Sequence, residues 1–342
     1  MNHFTEHIPT NESYWRAIIL FGDNVATYKF ALAKSLLELA NREKVSITLE
    51  ELADPFSRHI CEHLKMNQKQ TTSKSSAFLE ECKNYNQGKT TYDSLIDVTV
   101  KKGFTCVLNA FHNVNRAPVP QSYFEVAKKS RTKSIVISDA LLKLKETMQF
   151  NNLPHETEAR WRLVETAWSL NVRPSLLQIQ HDIDDELLFV KNNFINRINI
   201  TSCRDALNGY QKGKCFYCFS DISVMAFSND LADVDHFFPL TLAQFQKSFN
   251  FNGIWNLVLA CKDCNRGVQG KYAHVPKLKY LERLHKRNNF LIDSHHPLRE
   301  TLRIQTGYTK EERSKFLNNM HKDALNILIH QWQPVHELEP AF

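Results

Sequence analysis

Glycine is scarce in this chain: 9 of 342 residues, where average usage near 7% gives roughly 24. Only Gly22, Gly88 and Gly103 precede residue 209. A chain so poor in the most flexible residue is neither collagen-like nor a glycine-rich tract, and its first two hundred residues read as mostly helical. Long apolar runs are missing too. Stretches such as Ala17 to Phe21 fall far short of the roughly 18 to 20 residues that cross a bilayer, so no membrane partner is expected. The start, MNHFTEHIPT, has no basic segment followed by an apolar one, and a cytoplasmic location is the expectation. With 42% hydrophobic and 23% charged residues, the chain can bury one or two cores, which excludes a disordered or fibrous protein.

Charge of one sign is nearly balanced over the whole chain and unbalanced in one place. The net charge is +6, and the segment Cys261 to Arg299 holds nine Lys and Arg against three Asp and Glu, an excess equal to that of the entire chain. Such a field suits a polyanion, although a solvated basic helix face has the same composition.

The apolar spacing of Phe30, Leu32, Leu36, Leu37 and Leu39 predicts a core helix pair between Tyr14 and Ala40. Residues 65–91 are rich in Lys, Gln, Ser and Thr and read as an exposed loop. An amphipathic run lies around Ile135 to Leu144, and Trp161, Val164 and Trp168 fall on one helix stripe as packing anchors. Further helices are expected from about Asp184 to Arg197 and from Ser202 into Leu207. Pro276 is expected in the first turn of a basic helix, and Thr309 with Glu312 has the spacing of a capping box before a last helix.

Cysteine is where the sequence becomes specific. Cys61, Cys82, Cys106 and Cys203 are isolated and read as small buried hydrophobes. Cys215/Cys218 and Cys261/Cys264 form two C-x2-C pairs with 42 residues between them. Four thiolates so spaced can surround one Zn2+, and a four-sulfur site has no open position, so such a zinc clamps the fold rather than doing chemistry. Between and beside the pairs lie Asp233, Asp235, His236, Asn256 and Asn265. A carboxylate and an amide oxygen are hard ligands suited to Mg2+, and a neutral imidazole beside them can take a proton from water. Those residue types fit phosphodiester hydrolysis. His274, His295 and His296 have no carboxylate or cysteine at ligand spacing and read as surface or core-packing residues.

The motifs CFYC, DVDHFFP, WNLVLAC and CNRG, in that order over about 60 residues, resemble the HNH endonuclease family in its four-cysteine zinc-containing subclass. The resemblance implies a ββα-metal (His-Me finger) fold and a metal-dependent DNA endonuclease, with His236 as general base. It implies one Mg2+ or Mn2+ held by Asp235 and Asn265, and Asn256 orienting the loop by hydrogen bonds. Family members often carry a lysine soon after the CNRG glycine. Here Val268 follows Gly267 and the next lysine is Lys271, so phosphate gripping falls to Arg266 and Lys271. Lys277, Lys279 and Arg283 on the following helix are placed to hold the DNA backbone. Asp233 shares a strand face with Asp235 and is either a further ligand, a supporting acid or a solvated one. The expected fold is mainly α with a small α+β zinc-stapled ββα-metal nuclease domain: a helical N-terminal region over 1–200, the nuclease domain over 201–275 and a helical extension over 276–342. Family analogy suggests a bacterial restriction or anti-phage effector. The alternatives are a zinc-ribbon nucleic-acid-binding module without catalysis, and a nuclease subunit active only with an ATPase or helicase partner.

Overall fold

The computed structural model describes residues 9–342 except 23–24, 43, 74, 116, 128–132, 148–149, 171–178, 183–186, 192–196, 226 and 247–248. The chain is mostly helical with small sheets and divides into two units, Met1–Val172 and Arg173–Phe342. The division therefore falls before residue 200, and the cysteine-bearing segment and the C-terminal helices belong to one unit.

The first unit is built from α1 (Asn11–Phe21), α2 (Tyr28–Ala40), α3 (Leu49–Met66), α4 (Ala77–Asn86), α5 (Tyr92–Val98), α6 (Val107–Ala110), α7 (Asp139–Lys145) and α8 (Leu153–Leu170). A sheet of β1 (Ser46–Thr48), β4 (Phe124–Val126) and β5 (Ser134–Ile137) and the hairpin of β2 (Asn113–Val114) and β3 (Ala117–Pro118) lie among them. The expected helix pair is α1 and α2, and Phe30, Leu32, Leu36 and Leu37 are buried in one core with Phe56, Phe111 and Trp161. Two expectations change. The polar segment 65–91 contains α4, whose Phe78, Leu79 and Cys82 are buried, because three apolar groups at helical spacing suffice to seat a helix whose other face is solvated. Cys106 is exposed, whereas Cys61, Cys82 and Cys203 are buried.

Trp161 also anchors a buried polar cluster. Its ring stacks on the His63 imidazole with centroids 3.5 Å apart, and its Nε1 donates to Gln70 Oε1 at 3.0 Å. His63 lies 2.7 Å from Glu165 and 3.1 Å from Glu158. Burial works against a charged His63, but the two glutamates outweigh it and hold its pKa above the usual 6.5. A raised folded pKa stabilises the fold fully below the unfolded value and ceases to do so as pH rises through the folded value. His63→Gln is therefore expected to narrow its stability gap to the parent as pH climbs upward from about 6.5. Urea melts between pH 5 and 9 would show this, and a gap that widened with pH would contradict it.

The second unit opens with a sheet of β6 (Ile179–Asp182), β7 (Leu187–Lys191) and β8 (Arg197–Ser202), followed by α9 (Cys203–Gln211). The helix expected over Asp184 to Arg197 is thus corrected: residues 187–191 are strand, and residues 183–186 and 192–196 lie outside the described residues. Leu-Leu-Phe-Val is as compatible with strand as with helix by apolar spacing, and pairing with both neighbours decides it. Then come β9 (Asp233–His236), β10 (Leu257–Ala260) and α10 (Lys262–Arg266), with β9 and β10 antiparallel and His236 opposite Leu257. Val275 and Pro276 form β11, parallel to β12 (Gln331–Trp332). Pro276 therefore ends a strand, and the basic helix α11 (Leu278–Asp293) starts two residues later. Helices α12 (Arg299–Thr306) and α13 (Lys310–Ile327) complete the unit, and α13 has the Thr309–Glu312 capping box. No helix among the described residues is long and apolar enough to cross a membrane.

Candidate functional site

Two tight turns bring the cysteines together. In the first, Cys215 N donates to Ser220 O and Phe219 N to Cys215 O, and Phe219 closes the turn in the left-handed region at φ 62°. In the second, Cys261 caps α10, its sulfur accepting from Cys264 N. The hairpin joins the turns: Phe216 N donates to Leu259 O, and the Gln211 amide bonds both the N–H and C=O of Leu259, so the open edge of β10 is paired. The four sulfurs all lie within 4.8 Å of one another, close enough to hold a metal ion such as zinc. Cys218 and Cys261 sulfurs are 3.7 Å apart. A tetrahedron with Zn–S near 2.3 Å has an edge of roughly 3.8 Å, so the donor set fits zinc. Crowding already splits the acidities: hydrogen bonding to Cys215 leads in bringing Cys261 down to about 6, and hydrogen bonding to Cys218 leads in raising Cys215. Cys218, Cys261 and Cys264 line a cavity of about 690 Å³ with Trp332 and Val335, which gives solutes access to the sulfurs.

Beside this cluster the polar residues of β9 take three different sets of partners. Asp235 is 6% exposed. Its Oδ2 accepts from the Tyr217 hydroxyl at 2.6 Å, and its Oδ1 lies 3.2 Å from Lys271 Nζ. Burial pushes the Asp235 carboxyl above its ordinary pKa, while Lys271 and Tyr217 pull against that shift. Tyr217 sits inside the first cysteine turn, and the same burial beside Asp235 raises its hydroxyl well above 10. His236, next in the strand, is half-buried, and its Nε2 lies 3.0 Å from Asn252 Oδ1. Asn265, on α10, meets neither: its Nδ2 donates to Asp233 Oδ2 at 3.1 Å. Arg266 donates to the same carboxylate, Nε to Oδ2 at 2.8 Å and Nη2 to Oδ1 at 3.2 Å.

Asn256 is fully buried, and its Oδ1 accepts from Phe238 N at 2.8 Å while its Nδ2 donates to Phe238 O and Phe251 O, both at 2.9 Å. It ties the segment after His236 to the turn before β10. Asn256→Ala would leave three buried backbone groups unpaired, and a loss of about 3 kcal/mol is expected. Denaturant melts followed by Trp255 fluorescence would measure it, and a loss below about 1 kcal/mol would mean that water replaces the amide.

The expectations for the cations need correction. Lys271 is 0% exposed: besides Asp235 it donates to His236 O at 3.0 Å and Tyr272 O at 3.2 Å. A buried ammonium already bonded to three oxygens is not a surface grip for phosphate. Arg283 donates to Phe216 O and Tyr217 O, pairs with Glu337, and lays its guanidinium 4.1 Å from the Phe219 ring centroid. It braces the first cysteine turn. Lys279 is exposed but paired with Glu337. Lys277 and Arg266 remain on the surface.

Three further residues escaped the sequence reading. Asn252 holds the His236 ring; the Asn250-Phe251-Asn252-Gly253 run was a turn signal that pointed to it. Tyr217 lay in plain view between Cys215 and Cys218. Arg287 is fully buried and donates to Ile254 O, Trp255 O and Leu257 O, flanking Asn256; burial lowers its pKa to about 10. Nothing in the basic composition of α11 separated that inward arginine from its outward neighbours. His296 is buried with Nδ1 accepting from Leu298 N, and His274 and His295 bond Lys271 O and Arg299.

The divalent ion that the resemblance implies does not fit between Asp235 and Asn265 as they stand. Both oxygens of Asp235 are engaged by Lys271 and Tyr217, and Asn265 faces another carboxylate. No family model, curated protein or solved structure matches this chain.

Proposed function

We propose that the second unit is an endonuclease that hydrolyses phosphodiester bonds in DNA. The observation that carries this reading is the strand–strand–helix segment closed by four cysteines, with His236 on its first strand and Asn265 and Arg266 on its helix. Asn252 Oδ1 holds the His236 ring at Nε2, and the imidazole is the base. It takes a proton from water as the water oxygen bonds to phosphorus and the bond to the 3′ oxygen breaks. The departing 3′ oxygen takes a proton from solvent water and leaves as a hydroxyl, and the proton on His236 returns to solvent. Asn252 fixes the ring, Asn256 fixes the backbone that follows it, and Arg287 fixes the carbonyls that flank Asn256. Arg266, 61% exposed, is a guanidinium suited to two phosphate oxygens at once. A divalent ion would supply Lewis-acid stabilisation of the phosphate. Restriction or anti-phage defence, with or without an ATPase partner, belongs to the same proposal and rests on the motif resemblance alone.

The engaged state of Asp235 favours a second reading, a zinc-stapled nucleic-acid-binding module without catalysis. Supercoiled plasmid incubated with the purified chain and Mg2+ or Mn2+ separates the two. Nicked and linear products support the nuclease, and retarded but uncut plasmid supports the binding module.

A further inference from the structure

Residues 332–342 lie across the cysteine cluster, from one turn to the other. Their root is fixed beside the second turn: Trp332, in β12, donates from Nε1 to Gln269 O at 2.8 Å, just beyond Cys264, and Pro334 is buried. Beyond it, residues 333–342 form neither helix nor strand and run to the first turn. There Leu338 N donates to Cys218 O at 2.9 Å. Glu337 uses both carboxylate oxygens on α11: Oε1 accepts from Arg283 Nη2 at 2.6 Å, and Oε2 accepts from the Tyr280 hydroxyl at 2.9 Å and from Lys279. At the far end the Phe342 ring meets Phe219 and Tyr210, each with centroids 4.9 Å apart.

The cavity of about 690 Å³ is lined by this segment together with the sulfur-bearing residues Cys218, Cys261 and Cys264. Cys215 is 0% exposed and faces away from it. The segment is pinned rather than packed, since Val335 is 62% and Leu338 58% exposed. Detaching it breaks the Glu337 contacts, one backbone hydrogen bond and the ring contacts of Phe342, and a segment with so few buried contacts opens at a free energy far below that of global unfolding. A metal held by four thiolates departs when an incoming ligand replaces them one at a time. Its rate of loss therefore follows how often the sulfurs are uncovered.

We propose that residues 333–342 are a strap that gates metal exchange at the cysteine cluster, rooted at Pro334 and latched by Glu337. The four sulfurs set how tightly zinc is held, and the strap sets how fast it leaves and enters. Arg283 bonds Phe216 O and Tyr217 O as well as Glu337, so the latch fastens to the turn that the strap covers. The inference needs zinc in the cluster and is independent of the nuclease reading.

The test is zinc transfer from the zinc-loaded full chain to an excess of a pyridylazo dye chelator, followed by absorbance, alongside zinc content, thermal midpoint and hydrogen exchange of the peptide 333–342. Glu337→Ala is expected to release zinc about tenfold faster than the parent, with quicker exchange in the strap and unchanged zinc content. Phe342→Ala, which frees the far end and leaves the latch in place, should accelerate release by about threefold. Glu337→Gln keeps an oxygen acceptor without the charge and should fall between parent and Glu337→Ala. Should Glu337→Ala fail to fold, Phe342→Ala and Glu337→Gln carry the test. Release within about twofold of the parent in folded variants whose strap exchanges faster overturns the gate. So does a fall in zinc content at an unchanged thermal midpoint, which would make the segment part of the affinity, and so does a parent chain that takes up no zinc. Plasmid cleavage by the parent is a separate readout: the expected release pattern without cleavage removes the nuclease reading alone, and cleavage without that pattern removes the gate alone.

Discussion

Cys261→Ser is expected to cost the second unit its fold. Each of the four sulfurs lies within 4.8 Å of the other three, and structural zinc in small finger peptides contributes about 10 to 16 kcal/mol. Whole domains are stable by only about 5 to 15 kcal/mol. One lost ligand leaves three thiolates and removes much of that free energy. The same change uncaps α10, since the Cys261 sulfur accepts from Cys264 N. The expected result is a fall from one zinc per chain to none by elemental analysis. With it, the fluorescence of Trp255 and Trp332 should shift to that of exposed indoles. Chelator treatment of the parent chain should give the same spectrum, because the cavity beside Cys218, Cys261 and Cys264 admits small solutes. A variant that kept native fluorescence without metal would show that the hairpin core of Phe216, Phe237 and Leu259, all fully buried, is enough.

His236→Ala is expected to reduce plasmid cleavage by about 100- to 10,000-fold while leaving zinc content and thermal midpoint nearly unchanged. That range corresponds to about 3 to 5 kcal/mol of barrier. The ring bonds Asn252 across a half-buried surface, and a hydrogen bond of that kind contributes about 1 kcal/mol to stability. Activity and stability therefore separate at this position. Asn252→Ala should lie between parent and His236→Ala, since it frees the ring without removing it. Cleavage by His236→Ala at the parent rate, with zinc retained, would remove the imidazole from the chemistry.

Features governed by neighbours a few positions apart are legible in the sequence. Thr309 and Glu312 cap α13 by themselves, the α2 stripe from Phe30 to Leu39 turns toward a core, and two C-x2-C turns can each present a pair of sulfurs whatever surrounds them. The role of Asn256 came from the motif resemblance and not from spacing; its amide bonds Phe238 and Phe251. The apolar run 187–191 is not legible, because it satisfies either period until β6 and β8 flank it. Pro276 read as a helix start because nothing local announces the parallel partner at Trp332.

The composition and spacing of this chain, taken alone, settle that its N-terminal part is helical, that four cysteines can meet, and that Asp233 and Asp235 share one strand face. Which aspartate receives which partner is decided by folding in three dimensions. Lys271 and Lys277 are the same residue type six positions apart, yet the first is sealed against Asp235 and the second is in water. Alternation along a strand assigns a side chain to a face; it carries no information about which distant segment covers that face. Here the chain returns at Tyr217 and Lys271 to seal Asp235, while Asp233 meets Asn265 and the exposed Arg266 of the short α10.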